Sequence, residues 1–232
     1  MLKIIILSCL LLIIKGNICS QIKIDTTQSI EYYVSEVLLG SGIKVNNIKH
    51  KGMIGSFGQF EADSKIIGVH SGIVISTGNV NGICDTNNTN SFTSAVYYPK
   101  TKKLKKDIEK GDVDLNKLAK RKTNDISVIE FDFIPTQNKI EFNYVFASDE
   151  YPEFAGSSFN DVFGFFLSGP GIKKKVNLAV LPDGKTPVTI NSINHKVNKK
   201  YYRRNDSKIN LMTNAQKYVA LYCLLLLRWV YY

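Results

Sequence analysis

The sequence predicts an all-β protein, a β-sandwich or jelly roll with one short accessory helix near the N-terminus. Three observations carry that expectation. Short β-branched and aromatic runs recur along the chain, with period-two alternation in 126–133 and 140–147. Turn-forming residues separate them, at Gly78-Asn79, Pro135–Asn138, Ser168–Gly171 and Pro182–Gly184. No heptad or solenoid period is present, and 232 residues at 44% hydrophobic content suffice for one substantial core.

In chain order, residues 1–20 read as a signal peptide. Lys3 gives the positive start, Ile4–Ile14 the apolar stretch, and cleavage is expected after Ser20. The apolar stretch is short of the roughly 20 residues that a membrane span needs. Cys19 raises a lipoprotein reading, but Asn17 and Ile18 fit such a site poorly. Removing the leader also removes Cys9 and Cys19. Cys84 and Cys223 remain, and an exported chain permits their pairing; with no Cys or His companions nearby they are no metal signature.

Ser29–Leu39 has apolar residues at helical spacing (Ile30, Tyr33, Val34, Val37, Leu38), with Ser29 to cap it and Gly40 to end it. Val45–His50 reads as a strand and Gly52–Phe60 as a glycine-punctuated aromatic stretch. Lys65–Val69 with Gly72–Thr77 reads as another strand. Residues 79–94 form a polar loop. Its Asn87-Asn88-Thr89, like Asn205-Asp206-Ser207, matches the glycosylation acceptor pattern, which short polar runs match by chance. Lys100–Lys122 is a dense basic excursion in which Asp114 is placed to cap a helical turn.

The strands are plainest after Asp125. In 126–133, Ile126, Val128 and Glu130 share one face, and Ile129, Phe131 and Phe133 lie near the other. In 140–147, Ile140, Phe142, Tyr144 and Phe146 face one way and Glu141, Asn143 and Val145 the other. Val162–Leu167 is a continuous apolar run, as in a strand buried on both sides, and Val176–Leu181 and Val188–Ile190 follow.

Between two such strands lie Asp149, Glu150, Glu153, Asn160 and Asp161. Oxygen donors between strands suit Ca²⁺, which takes six to eight of them, although no EF-hand spacing is present. Paired carboxylates also serve acid–base hydrolysis of glycosides. The plainer reading is structural: these side chains cap backbone N–H groups around Pro152, while Tyr151 and Phe154 pack the loop onto the sheet. That reading is preferred, and no catalytic residue is assigned. No nucleophile elbow, zinc motif or phosphate loop occurs, and His50, His70 and His195 stand apart. The formal charge of +10 is spread over scattered lysines, so nucleic acid is not the expected partner.

Gly72–Asn79 (GIVISTGN), the FDF of 131–133, Phe142–Phe154 (FNYVFASDEYPEF) and Phe159–Gly171 (FNDVFGFFLSGPG) resemble the choice-of-anchor L domain, over about 40–195. The resemblance implies a secreted or cell-surface module, chiefly of Bacteroidetes, often linked to gliding and type IX secretion, with no established enzymatic activity. The expected organisation is a signal peptide at 1–20, the β-domain at 21–198 and an atypical tail at 199–232, basic and then apolar. The tail reads as truncated or aberrant rather than as an anchor, since the family domain is expected to continue through further strands. The function expected is a surface-displayed, non-catalytic binding or adhesion module, Ca-stabilised if the acidic loop holds metal. Its partner is an extracellular glycan, a protein ligand or a cell-envelope component, and no membrane span beyond the leader is expected. The alternatives are a secreted carbohydrate-active hydrolase using 149–161 and a Ca-dependent, lectin-like glycan binder.

Overall fold

The computed structural model describes residues 22–40, 42–84, 102–136, 142–203 and 224–229, the last as strand placement alone. The leader, both glycosylation patterns and Cys223 lie outside the described residues, as does the Cys84 side chain.

The protein is all-β. Its strands are β1 (Ile22–Asp25), β2 (Lys44–Lys51), β3 (Phe57–Ala62), β4 (Ser71–Ile75), β5 (Val128–Ile134) and β6 (Phe142–Ala147). Shorter ones follow: β7 (Val162–Phe163), β8 (Phe166–Leu167), β9 (Val176–Asn177), β10 (Val188–Thr189) and β11 (Leu224–Trp229). Among the described residues they form one five-stranded sheet, β1-β3-β4-β11-β6, and three antiparallel pairs, β2-β5, β7-β10 and β8-β9. The expected tail therefore contributes a strand: β11 pairs antiparallel with both β4 and β6, Leu225 lying opposite Ile75 and Phe146.

Alternation places apolar groups on both faces of this sheet. On one face Ile73 and Ile75 join Tyr33, Val34, Leu38 and Leu39; Tyr144 and Phe146 of β6 pack there, with Ile129, Phe131 and Phe133 of β5. On the other, Val74 joins Ile22, Phe60, Ala62, Val69 and Val80, with Val145 and Ala147 against them. The period-two reading of β5 and β6 thus gives the correct faces.

Helix α1 (Ile30–Tyr32) runs on as a wider π-turn over Tyr33–Leu38. Ser29 caps it as expected, its Oγ accepting from the Tyr32 N–H at 3.2 Å. Gly40 follows in the left-handed region at φ 74°. Rather than lying beside the core, this turn fills it, since Tyr33, Val34, Leu38 and Leu39 are all buried.

Four readings are revised. Val162–Leu167 is not one strand but two, β7 and β8, in different pairs. Lys65–Val69 is not part of a strand: Ser64–Ile67 is a helical turn, α2, closed by Gly68 N–H on Ser64 O at 2.8 Å. The basic excursion holds two helices, α3 (Lys102–Glu109) and α4 (Val113–Ala119). Ile108 anchors α3 through a small buried cluster with Met53 and Ile126. And α4 is capped by Asp112, whose Oδ1 accepts from Asp114 and Leu115 N–H at 2.8 and 2.9 Å, so Asp114 is not the cap.

A polar chain lies beneath β2 and β5. Ser127 Oγ donates to Ser56 Oγ at 3.3 Å, and the His50 Nε2 lies 3.1 Å from Ser56 Oγ. With its edge on Phe57, centroid distance 4.4 Å, the His50 ring is desolvated, and burial lowers its pKa to about 4. The folded state therefore binds fewer protons than the unfolded chain between about pH 4 and the ordinary histidine value. Stability is full above that window and declines as pH falls through it, by up to about 3 kcal/mol from this group. Melting curves of wild type and His50→Gln across the window should converge toward low pH. A constant gap between them would exclude the mechanism.

Candidate binding cleft

The acidic loop is assembled from the ends of strands that do not pair with each other, because β6 pairs with β11 while β7 pairs with β10. A side-chain bond joins them instead: Ser148 Oγ donates to Asp161 Oδ2 at 2.5 Å, and accepts from Glu150 N–H at 3.1 Å. Burial pushes the Asp161 carboxyl up, partly offset by the Ser148 bond. Burial also raises Glu150, and the nearby Asp161 carboxylate adds to it. Of the five candidate residues, then, the fold couples Glu150 with Asp161.

The other three serve differently. Asn160 spends its amide on structure: Nδ2 donates to Ala119 O at 3.1 Å and Oδ1 accepts from Asn191 N–H at 3.2 Å. Glu153 points to solvent, and one oxygen of Asp149, Oδ2, is buried. Among the described residues, no group of three or more His, Cys, Asp or Glu side chains converges as a metal site.

Asn191, which no motif marked, clamps the loop. Its Oδ1 accepts from Gly156 N–H at 2.6 Å, and its Nδ2 reaches Ser157 O and Phe159 O at 3.2 and 3.3 Å. The peptide bond Tyr151–Pro152 is cis. The expectation that Tyr151 and Phe154 pack onto the sheet is corrected: Tyr151 lies tilted against Tyr202, with its hydroxyl donating to Ile193 O, and Phe154 lies edge-on to Phe159 at 5.2 Å. A tyrosine with a backbone acceptor and an aromatic neighbour is satisfied without the sheet.

The loop forms one wall of a cleft of about 810 Å³. β5, the bulge of β2 and the start of α4 line it as well. At the bulge Asn47 takes a left-handed φ of 54°, and its Nδ2 donates to Asp132 Oδ2 at 2.6 Å. Within the lining, Lys175 donates to Asp114 Oδ2 at 2.8 Å and lies over the Phe166 ring. Lys175 and Lys117 hold the half-buried Asp114 carboxyl below its ordinary range. The lining carries seven carboxylates and four cations (Lys49, Arg121, Lys122, Lys175), a formal local balance of −3 on a chain of formal charge +10. Sequence reasoning could not find this balance, because its members come from segments more than 100 residues apart.

No helix among the described residues is long and apolar enough to cross a membrane. The family model of the choice-of-anchor L domain matches residues 21–221, reaching further in both directions than the motifs alone. No curated protein and no solved structure matches the chain.

Proposed function

Because the chain belongs to the choice-of-anchor L domain family, a family of non-catalytic surface modules, we propose that it is exported by its leader and displayed at the cell surface as a binding module. The observation that carries this reading is the cleft. An acidic recess with an exposed aromatic at its rim, backed by hydrogen-bonded loops on a rigid sheet, is where a β-scaffold recognises ligands. The buried carboxylates fit the same reading. Asp161 and Ser148 are bonded to each other and hold the loop, so they act as supports for the rim.

Export is tested by producing the full chain in a Gram-negative host and treating intact cells with external protease. The chain should be degraded while a cytoplasmic control survives, and deletion of residues 1–20 should protect it. Protection of the full chain until lysis would refute surface display.

A further inference from the structure

We propose that the cleft is a saccharide site selective for glycans without acidic groups. The proposal rests on the surface-module reading and adds to it the chemistry of the ligand. The cleft volume, about 810 Å³, lies within the range of sites that enclose small ligands.

Its rim presents Phe159, 53% exposed although aromatic. That ring is not a loose side chain. Phe154 meets it edge-on at 5.2 Å, Asn191 Nδ2 bonds its carbonyl at 3.3 Å, and Ser157 Oγ accepts from its N–H at 3.0 Å. A preset apolar plane loses little entropy on binding. The same lining carries hydrogen-bond acceptors, the exposed Glu130 and Asp132 of β5 among them. A pyranose offers the complement of both: an apolar C–H face and a ring of hydroxyl donors, which form charge-assisted bonds to carboxylates.

The local charge sets the selectivity. A sulfated or uronic glycan would bring its anions against a lining of net −3 and be disfavoured there. The rest of a +10 chain attracts such polymers, but diffusely and with strong dependence on salt. Cleft binding and diffuse binding are therefore separable.

The test titrates the purified full chain with neutral cello-, xylo-, manno- and chito-oligosaccharides and with a sulfated polysaccharide, at low and high salt. Wild type, Phe159→Ala and Glu130→Gln are compared, both changes lying at exposed positions. At least one neutral oligosaccharide should bind with little salt dependence, and Phe159→Ala should weaken it about tenfold or more with an unchanged melting temperature. Glu130→Gln, which keeps shape and removes one charge, should weaken the same ligand and provides the readout if Phe159→Ala folds poorly. Binding of the sulfated polymer alone, neutral binding unchanged in both variants, or no glycan binding at all would each overturn the proposal. None of these outcomes bears on surface display, which the protease experiment reads separately.

Discussion

Gly111→Ala is expected to melt far below wild type, losing about 4 kcal/mol, or roughly 8–16 °C for a chain of this size. Gly111 joins α3 to α4 at φ 76°, a conformation that L residues adopt only under strain. A Cβ there would also press into the Thr123 carbonyl oxygen and lie 2.5 Å from Thr123 Oγ1. Thr123 has no room to yield. Its N–H and Oγ1 both donate to Asn116 Oδ1, at 2.5 and 2.8 Å, and Oγ1 accepts from Asp112 N–H at 3.1 Å. The cap of α4 and this wall of the cleft would shift together. Gly68→Ala supplies the comparison: its φ is 84° but nothing lies within 4 Å of the added carbon, so only the backbone strain of about 1 kcal/mol is expected. Thermal melts of both variants decide the matter; equal shifts would mean that the Thr123 contact contributes nothing.

Tyr33→Ala has an effect of similar size for a different reason. The ring is 1% exposed and packs edge-on against Phe57 at 5.9 Å, at the centre of the larger core cluster. Truncation removes that surface and leaves a cavity, at about 4 kcal/mol. Its hydroxyl donates to Asp25 O at 2.8 Å and accepts from Gln28 N–H at 3.0 Å, tying the end of β1 to the helical turn. Tyr33→Phe keeps the packing and loses only those bonds, so about 1–2 kcal/mol should go. Denaturant unfolding of the pair separates the two contributions. If Tyr33→Phe costs as much as Tyr33→Ala, the hydroxyl rather than the ring holds the core.

These sites also show which parts of the fold were legible in the sequence. β5 and β6 were, because one period-two pattern decides strand, face and partner cluster at once. β3 was not, since Gly58 breaks its alternation. The glycine is there because the Asp25 carbonyl of β1 passes 2.6 Å from where a Cβ would stand. Val162–Leu167 read as one strand and is two, β7 and β8, with Gly164 between them. A side chain at Gly164 would meet the Phe166 ring at 2.6 Å, so only glycine leaves room for that ring. α2 is hidden in the sequence because the β-formers Ile66, Ile67 and Val69 outweigh the Ser64 and Gly68 that bound the turn. The acidic loop was found by composition alone. Its working partners, Ser148 and Asn191, carry no motif, and the bonds they make follow from strand ends that no local pattern brings together.

β4 contributes Ile73 and Ile75 to one hydrophobic cluster and Val74 to the other. A five-residue strand shared in this way makes the clusters a single cooperative unit, since neither keeps its packing once β4 leaves the sheet. It also fixes the length of the strand. One residue inserted or deleted within Ser71–Ile75 would exchange the faces, sending Val74 to the side shaped for Ile73 and Ile75. Descendants of this sequence are free to vary in length only outside that strand, and within it to exchange one apolar side chain for another.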